Sequence, residues 1–137
     1  MPVSQFDNYK DIVPVSEVAG LTFHGSSILF TSETQLRYYY ILEAGKNIGD
    51  YTFKVDGQTV TPVLEKGTYR IDVKVAASDF ERDYTLTVTD GTDTQTVTAS
   101  IYSYLKKAVK KYPADNPMVT VAKAMYNYGN AVKAYLG

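Results

Sequence analysis

The chain has 137 residues, 14 Lys+Arg against 15 Asp+Glu for a formal charge of −1, and 45% apolar residues, the composition of an ordinary folded domain. That length supports a single core that needs no metal or disulfide, and the near-zero charge removes the electrostatic case for a nucleic-acid partner. No run of 18 apolar residues is present to span a membrane, and with no Cys, thiolate zinc sites, cysteine nucleophiles and disulfide scaffolds are excluded together.

Residues 1–18 read as a lead-in or linker, broken by Pro2 and Pro14. Met1 to Asp7 has neither a basic start nor an apolar stretch, so it is not a signal peptide. Residues 19–99 read as a β-sandwich. Tyr51, Phe53 and Val55 alternate with Thr52 and Lys54, and Asp56-Gly57 marks a hairpin before Gln58 to Leu64. Tyr69, Ile71, Val73 and Val75 alternate with Arg70, Asp72 and Lys74. Tyr84, Leu86 and Val88 then alternate with Thr85, Thr87 and Thr89 up to an Asp90-Gly91 turn. Gln35 to Glu43 is apolar on both parities, which predicts a strand covered on both faces. Ser78-x-x-Glu81 predicts a capped helical turn between two strands. The 13 Tyr and 15 Thr suit half-exposed pleated surfaces.

After Ala99 the period becomes 3.6, so residues 100–137 read as a two-helix hairpin integral to the same domain. Ile101, Leu105, Ala108 and Tyr112 form one stripe, opposed by Ser103, Lys106, Lys107 and Lys110, and Pro113 stops the first helix. Asn116-Pro117 opens the second, with Met118, Val121, Ala122, Met125, Gly129, Val132 and Leu136 as its apolar stripe. Gly129 costs that helix about 1 kcal/mol relative to Ala, which predicts close approach to another element. The expected fold class is therefore α+β: an antiparallel immunoglobulin-like β-sandwich followed by a C-terminal two-helix hairpin packed on it, over the strand at 35–43.

The parts of an active site are few. The single His24 stands near Ser26 and Ser27 without a Gly-x-Ser-x-Gly elbow, and no phosphate-cradling glycine loop occurs. Acid pairs such as Glu33 with Glu43, or Asp72 with Asp83, read as surface charges, and Asp90 with Asp93 as turn formers rather than calcium ligands. A Lys–Asp isopeptide bond from Lys54 or Lys74 to Asp72 or Asp83 is opposed by the polar parity of both lysines. No catalytic residue, metal or cofactor is assigned. Binding has better candidates: Tyr39 beside Arg37, and Tyr126 opposite the last apolar stripe, as aromatic platforms. Residues 1–99 carry a net −6 and residues 100–137 a net +5, so Lys106, Lys107 and Lys110 form either a solvated helix face or a dock for an anionic polymer.

The succession Tyr51-Thr52-Phe53-Lys54-Val55-Asp56-Gly57, Tyr69-Arg70-Ile71-Asp72-Val73, Ala77-Ser78-Asp79-Phe80 and Tyr84-Thr85-Leu86-Thr87-Val88-Thr89-Asp90-Gly91-Thr92 resembles an accessory module of large secreted surface proteins of Gram-positive anaerobes. Ile101-Tyr102-Ser103-Tyr104 and Ala124 to Ala131 are similar to its helical end. The resemblance implies an extracellular or cell-surface, non-catalytic structural or adhesive role. The expected partners are neighbouring domains of a multi-module parent. The alternative is a glycan- or cell-wall-binding module whose Tyr and Lys side chains meet a wall polymer or polysaccharide; a hydrolase is third.

Overall fold

Among the described residues the stretch from Leu21 to Ala99 becomes eight strands, with a short further one in the lead-in, and the change to 3.6 after Ala99 becomes two helices. The computed structural model describes residue 9 and residues 11–30, 33–111 and 117–136, the side chains of 109–111, 117–122 and 133–136 excepted. The strands are β1 (Pro14–Val15), β2 (Leu21–Phe30), β3 (Thr34–Leu42), β4 (Thr52–Val55), β5 (Gln58–Val60), β6 (Val63–Glu65), β7 (Thr68–Lys74), β8 (Tyr84–Thr89) and β9 (Thr94–Ala99). The helices are α1 (Ile101–Lys111) and α2 (Pro117–Leu136), with 3₁₀ turns at Ile48–Asp50 and Ala77–Asp79. Two antiparallel sheets form, in the orders β1-β9-β8-β4-β5 and β2-β3-β7-β6, and the fold is α+β. The stretch at 1–18 supplies β1, antiparallel to β9, and the buried Val18.

The hairpins follow from local chemistry. Asp56-Gly57 and Lys66-Gly67 both have positive φ at both turn positions, the type I′ geometry that matches strand twist. Asp56 also accepts the Thr85 amide at 2.9 Å and pairs with Arg82 at 2.9 Å, fastening the β4–β5 turn to β8.

The inward parities meet between the sheets. Leu36, Tyr38, Tyr40, Ile71 and Val73 from one sheet face Phe53, Val55, Leu86, Val88 and Val97 from the other, all buried. Two tyrosine hydroxyls cross this interface. Tyr38 donates to the carbonyl of Tyr84 at 2.7 Å. Tyr40 donates to Gln95 Oε1 at 2.9 Å, and Gln95 Nε2 donates to the carbonyl of Ser16 at 3.1 Å. These three buried polar side chains thus have their partners.

The helices dock on the end of the sandwich, where they differ from expectation in three ways. The turn expected at Ser78-x-x-Glu81 forms as a 3₁₀ turn, but its N-cap is Ala76 and it carries no side-chain cap bond there. A reciprocal cap stands instead at Ser100-x-x-Ser103. The Ser103 amide donates to Ser100 Oγ at 2.9 Å, and the Ser100 amide to Ser103 Oγ at 2.7 Å. Ser103 is therefore buried rather than on the wet side of α1. Finally, α1 packs beside β2 while α2 packs on α1 and on the turn at 77–79. The outer side of β3 is left open, with Ile41 41% exposed. Only Tyr39 and Ile41 are aromatic or apolar on that side, and Tyr39 carries a polar end bonded to Ser27.

Gly129 makes the docking possible. A Cβ there stands 2.7 Å from Phe80 Cδ2, 2.7 Å from the Tyr102 hydroxyl and 3.2 Å from the carbonyl of Ala77. Tyr102 is fully enclosed: its ring meets Tyr9, Phe80 and Tyr126 at 5.2, 6.1 and 5.1 Å between centroids. Its hydroxyl donates toward the Tyr126 carbonyl at 3.1 Å and Asn130 Oδ1 at 3.3 Å.

Gly129→Ala gains helix propensity of about 1 kcal/mol but forces Phe80 or Tyr102 to move, a cost of about 1–3 kcal/mol for overpacking. Urea denaturation is expected to show no gain in stability and a net loss of up to about 2 kcal/mol; a clear gain contradicts the tight contact. Burial pushes the hydroxyls of Tyr38, Tyr40 and Tyr102 well above the ordinary tyrosine range. A raised folded-state pKa leaves stability intact below the unfolded value near 10 and erodes it as pH rises beyond. Each group contributes a slope of about 1.4 kcal/mol per pH unit. Alkaline unfolding above about pH 10 is the expected result, with a shallower slope in Tyr40→Phe.

Candidate functional site

The outer face of the four-stranded sheet brings together Ser27, Arg37, Tyr39, Arg70 and Asp72. Strand register places Gly25, Tyr39, Arg70 and Val63 in one row and Ser27, Arg37 and Asp72 in the next, and residues paired across strands share a face. Tyr39 and Ser27 join their hydroxyls at 2.8 Å. Asp72 Oδ1 is held by Arg70 Nε at 2.7 Å and by Arg37 Nε at 3.3 Å. Arg37 also donates to Gln35 Oε1 at 3.1 Å, and Arg70 pairs with Glu65. Hydrogen bonding to Asp72 leads the causes that raise the Arg70 pKa above its usual value.

A shallow depression of about 450 Å³ opens over this row, lined by His24, Ser27, Tyr39, Glu65, Lys66 and Lys107. His24 is the extra residue of a bulge in β2 between Phe23 and Gly25. Gly25 has φ +129°, a conformation side chains rarely adopt. The bulge re-aims the strand beside Tyr39, and Lys107 of α1 supplies the far wall.

Of the residues expected to bind, Arg37, Tyr39 and Lys107 therefore share one surface. Tyr126 does not join them: half-buried, it is stacked on Tyr102 between the helices. Lys106 is likewise removed from a basic patch. Its ammonium donates to the Tyr9 carbonyl at 2.8 Å and pairs with Asp11 at 3.0 Å. It pins the N-terminal stretch to α1. The side chain of Lys110 lies outside the described residues.

The chemical alternatives find these positions. Ser27 spends its hydrogen bond on Tyr39, and Ser26 Oγ is buried without a partner among the described residues; neither is aligned with exposed His24 by a hydrogen bond that the geometry gives. Asp90 Oδ1 accepts the amides of Thr92 and Asp93, both at 2.8 Å. Those backbone bonds hold its carboxyl below the usual range, the signature of a turn former. Lys54 is exposed, and exposed Lys74 pairs with Glu33 at 3.4 Å, so neither lysine lies buried against Asp72 or Asp83 for isopeptide chemistry. Among the described residues no group of three or more His, Asp and Glu stands ready for a metal ion.

Sequence reasoning passed over Phe30 and Tyr128, 48% and 53% exposed. Tyr126 and Tyr128 flank the α2 stripe through Met125 and Gly129 on opposite sides. A helical wheel therefore could not tell which flank α1 would cover. No protein-family model matches the chain, and comparison with curated proteins and with solved structures gives no significant match.

Lys106→Ala removes a charge-assisted contact from a largely buried stem. Limited proteolysis is expected to cut the stretch before Pro14 several-fold faster, with a stability loss of about 1 kcal/mol. Unchanged cutting rates contradict the pinning role.

Proposed function

We propose that the chain is a non-catalytic adhesive or structural module of a bacterial extracellular surface protein, and that the outer face of its four-stranded sheet is the docking surface. The observation that carries this reading is the Tyr39 row itself. Its aromatic body is held by Ser27 in front of an Arg37–Asp72–Arg70–Glu65 chain whose charges are mutually paired. Such a surface is preorganised, so little side-chain freedom is lost on docking. Opposite charges in one row favour a polar partner, whether a neighbouring domain or a wall polymer.

An immunoglobulin-like identity for the sandwich belongs to the same proposal. Its support is the strand order β2-β3-β7-β6 against β9-β8-β4-β5, which corresponds to the A-B-E-D and G-F-C-C′ order of that fold. The chain also changes sheets between β3 and β4 and between β7 and β8. The antiparallel β1 beside β9 is an addition to that scheme. The resemblance of the motif order to Gram-positive surface modules supports the location and the lack of turnover.

A wall-binding version is favoured by one specific feature, the Lys66, Lys107 and His24 rim around Tyr39. Native affinity electrophoresis through gels containing purified Gram-positive cell wall tests both statements. Retardation is expected, lost in Tyr39→Ala. If Lys107→Ala and high salt also abolish it, the attraction is to an anionic polymer. Unchanged mobility in every gel overturns the adhesive reading and leaves a spacer; release of reducing ends from the same material overturns the non-catalytic one.

A further inference from the structure

A second surface, away from the Tyr39 row, has the makings of a ligand cleft. It lies where the end of β2 approaches α2. Its volume is about 500 Å³, and Phe30, Glu33, Thr34, Lys74, Ala77 and Tyr128 contribute to its lining. That volume falls within the range of small-molecule sites, about 300–1,000 Å³. Phe30 and Tyr128 are two of the large apolar or aromatic residues that the fold leaves half exposed, at 48% and 53%. They come from elements nearly a hundred residues apart in the chain, yet open on one cleft.

Single exposed apolar residues need no explanation; two aromatics lining one cleft together with polar groups do. Lys74 and Glu33 pair at 3.4 Å while remaining 76% and 52% exposed. The Lys74 ammonium, so exposed, keeps donors to offer beside a carboxylate that balances its charge. Thr34 adds a hydroxyl. Aromatic faces carry partial negative charge and attract the polarised C–H bonds of a pyranose face, while ring hydroxyls need both donors and acceptors at the rim. A charged ligand is poorly served by a neutral ion pair, and an apolar one leaves both charges desolvated. The backbone position of Tyr128 follows from its neighbour: α2 packs closely at Gly129 against Phe80 and Tyr102, which sets the residue at the mouth of the cleft.

We infer that this cleft is a binding site for an uncharged saccharide chain, with Phe30 and Tyr128 as stacking platforms and the Lys74–Glu33 pair as the hydroxyl-binding rim. It is independent of the Tyr39 surface and of the function proposed for it.

The test is isothermal titration and amide-resonance mapping of the full chain with hexaoses of β-1,4-linked glucose, xylose, mannose and N-acetylglucosamine. At least one is expected to bind and to shift the resonances of Phe30, Lys74 and Tyr128. Tyr128→Ala and Phe30→Ala should each weaken it tenfold or more, and Lys74→Ala about threefold, about 0.6 kcal/mol by the conversion of 1.4 kcal/mol per decade. Tyr39→Ala, whose failure would concern only the other surface, should leave it unchanged. Because Tyr128 is exposed, its variant should keep the parent melting temperature; if Phe30→Ala lowers it, Tyr128→Ala carries the comparison alone. Absence of binding by all four sugars overturns the inference. So does sugar binding that ignores both aromatic substitutions, or a cleft that takes a short apolar peptide and no sugar.

Discussion

Two hydroxyl groups in an apolar interior govern how the sheets meet. A tyrosine buried without a partner for its oxygen loses a few kcal/mol, so Tyr38 and Tyr40 are stable inside only where the opposite sheet presents an acceptor. Tyr38 finds the backbone of β8, and Tyr40 finds Gln95 of β9. Because both stand on β3, the pairing sets the offset of the sheets along and across that strand at once. Hydrophobic burial is non-directional and tolerates sliding; these bonds do not. Gln95 extends the constraint to Ser16, so the chain entering the sandwich is positioned by the same network that aligns its layers.

Everything outside the layers inherits that alignment. The turn at 77–79 follows β7, and its carbonyl at Ala77 and ring at Phe80 form the seat for Gly129. The Tyr102 amide bonds the Phe80 carbonyl at 3.1 Å, so α1 begins in a fixed place. Both candidate surfaces depend on this seat: α1 brings Lys107 to the edge of the Tyr39 depression, and α2 brings Tyr128 to the other cleft.

The strands and helices were legible because each repeats a simple period, and two of the hairpins because Asp-Gly is nearly unambiguous. Gly129 was legible as a close approach, though its partner was not, since nothing local marks Phe80 or Tyr102 as the other side. Local patterns misled where tertiary contacts compete. Ser78 and Glu81 have the spacing of a cap, but the bonds form at Ser100 and Ser103, where the spacing lacks the acidic residue that draws the eye. Tyr39 and Arg37 could be placed together on one strand; Asp72, Arg70 and Lys107 could not, because register and helix docking are long-range. Lys106 looked like part of a basic face and is an anchor, a role set by Tyr9 and Asp11 nearly a hundred residues away.

The ring of Tyr102 touches both Tyr9 and Tyr126, each within 5.2 Å between centroids. Chain that enters near residue 9 and chain that continues beyond residue 126 are therefore tied at a single point. The Lys106 contacts to Tyr9 and Asp11 reinforce the same connection. The short β1, two residues antiparallel to β9, adds a backbone tie beside these side-chain contacts, so the chain on either side of the sandwich is held to it outside the layers that carry both surfaces.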